Sequence, residues 1–455
     1  MAGYIGSDKS GVNVEGYTNS QIDTLIEAAG GVEVSATEPS SPSEGDLWYD
    51  STTGVKTLKF YNGTAWFKVS SAVPTLTSVS GNIFQSTATT LTLSGTNFLD
   101  SNLVVNFTQA SDSIDVDVIV TPTSNTSATV TVPSSVYDSV TAGNVVSISV
   151  TNSDGQEFSA VTKTAKALPT GGTITTSGGY RIHTFTSSGS FVASSELTDV
   201  EYLVIAGGAS GASTDTSNGG AGGGGAGGYR CSVTGESSGG GASAESAIST
   251  LSAATYTITV GAGGASPASG NNAGNSGSNS IFSSITSVGG GGGGKVNTAG
   301  ADGGSGGGAG GDNDSNAGGA GTSGQGYAGG GIYTSNGDMG GGGGGAGSAG
   351  GDGTDSNPTY GGGDGGDGVA SSITGTSVIR AGGGGGGTNQ PTGSGGAGGS
   401  GGGGDGAVPD GAGIVAGAGA VNTGSGGGGA TCNYSAAQRV GGAGGSGIVI
   451  IRYAV

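Results

Sequence analysis

Residues 287–296 read SVGGGGGGKV, and the role of those six glycines decides how most of the chain is understood. The stretch contains G-x-x-x-x-G-K, one residue short of a phosphate-binding P-loop, in which a Ser or Thr after the lysine ligates magnesium. Val296 occupies that position. The segment that follows, NTAGADGGSGGGAGG, has no apolar period and disfavours the helix a P-loop must open. Glycine supplies 109 of the 455 residues, so glycine-spaced motifs arise by chance throughout the chain. No nucleotide or other cofactor is expected.

Working outward, two more runs of six glycines occur at 340–345 and 382–387, with runs of four at 222–225, 401–404 and 426–429. Only 13 of the 109 glycines precede Pro169, so composition changes abruptly there. No Gly-X-Y period persists, which excludes collagen. Disorder, the usual reading of such composition, is opposed by what brackets the runs. HTFTSSGSFV, VEYLVIAGG, ATYTITVGAGG, NSIFSSIT, SVIRAGGG and GIVIIRYAV are short β-prone stretches with apolar side chains to bury. Six glycines in a polyproline-II-type helix make two turns and span about 19 Å, with no internal hydrogen bonds. Several such rods, lacking Cβ atoms, can bond backbone to backbone. Residues 169–455 are therefore expected to form a lattice of polyglycine II helices framed by β-strands.

The first 168 residues read differently. In SQIDTLIEAAGG, Ile22, Leu25 and Ile26 fall at helical spacing between a cap at Asn19 or Ser20 and a stop at Gly30-Gly31. One short amphipathic helix cannot stand alone, so this stripe is expected to meet sister chains, a partner or the next segment. EGDLWYDSTTGVKTLKFYNGTAWFKV carries a hairpin signal at Asn62-Gly63, with Trp48, Phe60 and Trp66 as its expected small core; the alternative is a sugar-stacking platform. Residues 1–70 read as an attachment module. Residues 71–168, with alternation in TLTLSGTNF, SIDVDVIV, ATVTVP and VVSISVTNSDGQ, read as an immunoglobulin-like β-sandwich of six or seven strands. The whole chain is thus expected to be mostly β.

Charge narrows the partners. Twelve basic against 32 acidic side chains give a formal charge of −20, which opposes binding to a nucleic-acid backbone. No run approaches the roughly 18 apolar residues of a membrane span, and MAGYIGSDKSGVNVEG lacks the basic and apolar regions of a secretory signal. The expectation is neither nucleic acid nor membrane insertion. Cys231 and Cys432 are too few for a disulfide framework and, with one histidine, cannot complete a zinc site. They read as free thiols; a pairing would join the two ends of the glycine region.

VEYLVIAGG, GGGGAGGYR, YTITVGAGG, SIFSSIT and the terminal GGSGIVIIRY together resemble the glycine-rich domain of bacteriophage tail-fibre and virion proteins, particularly marine ones. MAGYIGS and PSEGDLWYDSTTG are similar to the N-terminal segments of such fibres, and LTLSGTNF with VTNSDGQ resembles an IPT/TIG domain. In kind, the glycine region is also similar to the polyglycine sandwich of T-even-like tail-tip adhesins, although this chain carries its own N-terminal region and β-sandwich. The resemblance implies a virion appendage, assembled in the host cytoplasm and exposed on the particle. It would dock on other virion proteins through its N-terminus and bind a host-surface protein or glycan. The Ile22, Leu25 and Ile26 stripe would suit a homotrimer. The alternative is a capsid, collar or tail decoration fibre with a purely structural role.

Catalysis has little to stand on. A glycosidase needs two carboxylates fixed about 5–10 Å apart; Asp312 with Asp314 and Asp352 with Asp355 qualify by type, yet Asp/Asn/Ser/Gly clusters are first of all turns. The sole histidine, His183, has no nucleophile pattern around it. GGDGGDGVA at 362–370 matches one calcium-binding β-roll repeat, including Asp367, but such sites need stacked copies. Neither an enzyme nor a metal site is expected. Because a polyglycine rod presents no side chains, recognition must reside in the turns between rods. Tyr327, Tyr333, Asn336, Tyr360, Asn389, Gln390 and Tyr434 supply the aromatic and amide groups there. For each one alone, the competing reading is a lattice-edge cap or a turn closer.

Overall fold

Leu197–Ile205 (LTDVEYLVI) ends on the apolar run YLVI and Ile448–Ala454 (IVIIRYA) opens on IVII, the pattern of strands covered on both faces, and both are buried along most of their length. They pair antiparallel, Ile205 opposite Ile448 and Leu203 opposite Ile450. The computed structural model describes residues 12–13, 32–51, 57–68, 70–71, 73–98, 102–152, 160–215, 219–311, 315–332, 338–356, 359–390, 392–409, 415–432 and 439–455. Within these, the fold is almost entirely β. The chain divides into two compact units, Met1–Leu168 and Pro169–Val455.

In the second unit, the central sheet orders its strands Thr173–Ser177, Tyr180–Phe185, Ile448–Ala454, Leu197–Ile205 and Tyr229–Cys231, and Ile248–Leu251 pairs with the start of Leu197–Ile205. One apolar cluster unites Tyr202, Val204, Val449, Ile451 and Tyr453 of this sheet with Phe191, Ile258 and Phe282 of a second sheet. That second sheet runs Gly189–Ala193, Ala254–Thr259, Ser280–Phe282, Ile285–Ser287. The opposite face gathers Leu203, Ile205, Tyr229, Ile448 and Ile450 against Ala226, Ala346 and Ala381, alanines that belong to the glycine rods.

The rods continue the strands. Beyond the Ile205–Tyr229 pairing, Ala206, Ala209 and Ala212 donate N–H to the carbonyls of Gly228, Gly225 and Gly222. Gly207, Ser210 and Ser213 donate instead to Ser278, Asn275 and Asn272, and Gly208, Gly211 and Thr214 to Gly445, Gly442 and Arg439. Every third residue therefore addresses the same neighbour, as three residues per turn require. A strand spreads its bonds in one plane with period two; these spread them in three directions, and the sheet opens into a lattice.

The run 221–228 lies at the lattice centre, wholly buried. Its donors at Ala221, Gly224 and Gly227 reach Ala430, Gly427 and Gly424; those at Gly222, Gly225 and Gly228 reach Gly294, Gly291 and Val288; those at Gly223 and Ala226 reach Gly341 and Gly344. Its carbonyls accept from three further rods, 206–212, 305–311 and 384–387. This one rod thus has six hydrogen-bonded neighbours, and its inward-facing peptide groups find partners without any side chain. The spacing leaves no room for a methyl group: a Cβ built on Gly223 would lie 2.1 Å from Gly384 O, and one on Gly384 2.1 Å from Gly427 O. Where alanines do occur they share space, as Ala212, Ala221 and Ala430 of three rods pack together. The expected polyglycine lattice is present, and the run at 289–294 is one of its rods, with no helix after Lys295.

In the first unit, Ile114–Val120, Leu103–Gln109, Val145–Thr151 and Val161–Thr164 form one antiparallel sheet, and Ser127–Thr131, Thr90–Thr96 and Thr75–Ser80 a second. Alternation decides what faces inward. Leu91, Leu93, Leu103, Val105, Phe107, Ile148 and Val150 fill one core, while Thr90, Thr92 and Ser94 face out.

A separate four-stranded sheet takes Val32–Ser35, Leu47–Asp50, Thr57–Tyr61 and Trp66–Lys68 in order. The hairpin at Asn62-Gly63 is present: Asn62 Oδ1 accepts the N–H groups of Thr64 and Ala65, and Gly63 has φ of +88°, a value open chiefly to glycine. The expected Trp48, Phe60, Trp66 core needs correction, because register places Phe60 opposite Leu47 while Trp48 lies opposite Lys59 and Trp66 opposite Tyr61. Side chains alternate faces along a strand, so the two tryptophans share one face and Phe60 takes the other. Trp48 is buried beneath Lys59, whose ammonium sits 4.2 Å from the ring centroid and 2.9 Å from Asp50 Oδ2. Trp48 and Phe60, both buried, offer no stacking platform, while Trp66 is half-buried against the Trp48 ring. The helical stripe Ile22, Leu25 and Ile26 lies outside the described residues.

Candidate recognition surface

Rods that leave the central sheet must turn back, so the lattice has a sheet end and a far end. Eight residues of the central rod, at about 3.1 Å each, separate the two by roughly 25 Å. The far end brings several turns together. Thr431 Oγ1 donates to Thr388 O at 2.6 Å, and Asn389 N–H donates to Asp338 O at 3.0 Å. Gln390 Nε2 donates to Asp338 Oδ2. The hairpin Thr354–Ser356 with Thr359–Gly361 joins the same group, because Tyr360 O accepts the N–H of Ser394. Gly393 allows the approach: a Cβ there would lie 2.9 Å from both Thr388 Oγ1 and Tyr360 O, and 3.2 Å from Gln390 Cβ.

The structure therefore brings Tyr360, Asn389 and Gln390 together, with different roles. Tyr360 and Gln390 are partly exposed. Asn389 is 7% exposed and accepts the Cys432 thiol proton at Oδ1, so it ties turns together from within. Tyr327 stands apart at the sheet end, its N–H on Gly345 O and its carbonyl accepting from Gly306; the seven-residue set is thus not one surface. Its sequence neighbourhood, GQGYAGGG, looks like any other turn, and only the lattice shows which end it closes. Tyr333, Asn336 and Tyr434 lie outside the described residues, although Asp338 and Cys432, close to them in sequence, stand at the far end.

Aspartates perform a role the sequence reading missed. Asp364 Oδ1 accepts the N–H of Ala397 and Asp367 Oδ1 that of Ser400, while Asp405 Oδ1 accepts from Gly398. These N–H groups belong to the outer run 395–400, whose other donors, Gly396 and Gly399, point inward to Gly386 and Gly383. The carboxylates stand in for the carbonyls of a further rod. Asp302 and Asp352 do likewise for Ala320 and Gly331. The period-three spacing in GGDGGDG was the available signal, and it marks a lattice edge. Among the described residues, no group of three or more His, Cys, Asp or Glu side chains is placed to hold a metal ion. Asp312 and Asp314 fall outside them, and Asp355 lies opposite Tyr360 in the far-end hairpin.

His183 and the two cysteines are core groups. His183 is fully buried, with Nδ1 2.8 Å from Gly171 O, Nε2 3.1 Å from Tyr453 Oη, and Phe191 edge-on at 4.9 Å. Burial pushes it down to about 4, so at neutral pH it is an uncharged packing residue. Cys231 and Cys432 are free and buried, one in the central sheet and the other at the far end. Burial raises both thiols, Cys231 to about 12, which leaves them unreactive. Arg230 grips Glu245 in a bidentate pair at 2.7 Å for each bond, and Tyr202 Oη donates to the same carboxylate. No helix among the described residues is long and apolar enough to cross a membrane.

These features define a glycine-scaffold protein: a backbone lattice that continues the strands of a central β-sheet, with its varied side chains at turns. A family model described as a glycine-rich domain matches residues 184–454, more than half of the chain, and the chain belongs to that family. No curated protein matches it.

Proposed function

We propose that the chain is a phage virion appendage, a tail fibre or host-recognition adhesin that presents the far end of its glycine lattice to the host cell surface. The carrying observation is the gathering of Tyr360, Gln390 and Asp338 at that end; Tyr333 and Asn336 precede Asp338 closely in sequence, and Tyr434 follows Cys432. Aromatic rings and amides on a rigid scaffold suit a polar protein or glycan receptor, since they bring contact area and hydrogen bonds at little entropic cost. In this reading the N-terminal segment docks on other virion proteins, and the stripe at Ile22, Leu25 and Ile26 assembles a homotrimer. The protein acts as a binder rather than a catalyst and stays outside membranes.

The test separates binding from folding. Asn389 is left intact, because it holds turns together. Phage carrying Tyr360→Ser, Gln390→Ser and a Gly/Ser exchange of residues 333–336 should assemble in normal yield and adsorb to host cells at least tenfold more slowly. Normal adsorption by that particle would favour the other role, a capsid, collar or tail decoration fibre without a dedicated receptor.

A further inference from the structure

The six rods around the central run 221–228 are not equally enclosed. Five of them have six hydrogen-bonded neighbours each, as the central rod has, but among the described residues the rod 289–294 has five. Its donors at Gly290 and Gly293 reach Gly207 and Ser210, and those at Gly291 and Gly294 reach Ser305 and Gly308. Three residues per turn set the third donor direction about 120° from each of these, through Gly289 and Gly292. Gly289 N–H is taken by a side chain, Asn279 Oδ1 at 2.9 Å. Gly292 N–H has no acceptor among the described residues, although every other glycine of the three six-residue runs donates to one.

The gap lies between the rods 272–278 and 299–304, which both bond to 289–294 and not to each other. Gly274 O and Gly277 O accept no N–H among the described residues. A Cβ on Gly292 would stand 2.1 Å from Gly274 O, and one on Gly289 2.0 Å from Gly277 O. In the filled lattice such a carbonyl turns to the rod next to both: Gly384 O, 2.1 Å from a Cβ on Gly223, accepts from Gly343. The notch therefore presents one backbone donor and two backbone acceptors at the period of a missing rod.

We propose that this notch binds an extended Gly-Gly-X segment of a different protein, which completes the lattice as a further polyglycine II rod. Geometry selects the repeat. The rods 317–320 and 395–400 hold the corresponding outer positions, each against three neighbours, and read AGGA and GGAGGS. Their two glycines per turn face the lattice, while Ala317, Ala320, Ala397 and Ser400 are exposed. An occupant needs two turns, about 19 Å over six residues, to meet Gly292 and both carbonyls. No segment of this chain outside the described residues contains Gly-Gly-X-Gly-Gly, and a second copy already has its own repeats bonded as rods. That leaves a separate glycine-rich protein, with a framework of its own to offset the entropy of ordering the segment.

Hydrogen bonds to a free glycine peptide barely offset the cost of ordering it, so the test tethers the peptide to the full-length protein. Ala273→Cys places a thiol on an exposed residue at one rim, and Ala299→Cys does so at the other; the second guards against a first variant that fails to fold. The native thiols are buried. Each variant is equilibrated in glutathione buffer with Cys-(Gly-Gly-Ser)3 and with Cys-(Gly-Ala-Ser)3, whose methyl groups would meet the lattice backbone. Mass spectrometry should find the first peptide captured about tenfold more than the second. In the untethered protein Gly292 N–H should exchange with solvent about tenfold faster than the amides of Gly291 and Gly293, and the tethered Gly-Gly-Ser peptide should remove that difference. Equal capture of the two peptides would overturn the proposal, and so would a Gly292 amide that is slow without the peptide or still fast with it, the mark of a notch that holds solvent only.

Discussion

The sandwich of the first unit and the lattice of the second solve the same problem with opposite materials. In the sandwich, Leu91, Leu93, Val105 and Phe107 fill the interior, and the backbone bonds serve to position them. In the lattice the backbone is the interior, and the rods 221–228, 340–345 and 382–387 meet through N–H and C=O alone. Ordering a residue costs about 1–2 kcal/mol, most for glycine, while one net hydrogen bond contributes about 1 kcal/mol. Lattice bonds by themselves therefore do not carry the fold. The two apolar clusters on the faces of the central sheet supply the difference, and the alanines that enter one of them connect rods to sheet. A methyl group therefore means opposite things in the two units: the sandwich suffers when one is removed, the lattice when one is added.

The largest expected effect follows from that inversion. Gly384→Val places a branched side chain where even a Cβ lies 2.1 Å from the carbonyl oxygen of a neighbouring rod, and no flexible atom is there to yield. Thermal unfolding followed by calorimetry should show the glycine-rich unit losing its transition altogether, a cost above about 4 kcal/mol. Leu93→Ala should lower the sandwich transition by about 2–5 kcal/mol and leave the lattice transition in place. If Gly384→Val melted like the parent, the contrast between the units would fail.

A smaller effect concerns pH. His183 titrates near 4 in the fold and near 6.5 when unfolded, so the unfolded chain takes up the proton first and stability falls as pH drops below 6.5. The loss is about 2 kcal/mol at pH 5 and about 3 kcal/mol at pH 4. It should appear in chemical unfolding of the glycine-rich unit and be flattened by His183→Gln. A wild-type curve that stays level from pH 6.5 to 5 would contradict the neutral, buried assignment.

Much of this was legible in the sequence, for identifiable reasons. The strands around VEYLVI and GIVIIRY show as apolar runs, the sandwich strands show as period-two alternation, and equal glycine runs set equal rod lengths. Neighbour choice was not legible. Gly223 and Gly224 are chemically identical, yet one bonds to Gly341 and the other to Gly427, because three-fold geometry and chain return decide the partner. For the same reason Tyr327 could not be assigned to the sheet end, nor Asn389 to the interior. The Trp48 and Phe60 faces were missed through register, which a one-residue shift inverts. The aspartate edge caps were legible in principle, since period three is visible in GGDGGDG, but only after the lattice period is known.

Native-state hydrogen exchange of the glycine runs tests the central claim most directly. Amides of 222–228, 341–344 and 383–387 should exchange only through global unfolding of the unit, as slowly as those of Leu197–Ile205 and Ile448–Ala454. Exchange of those runs at the rates of an unstructured glycine peptide, while the strands stay protected, would contradict the lattice.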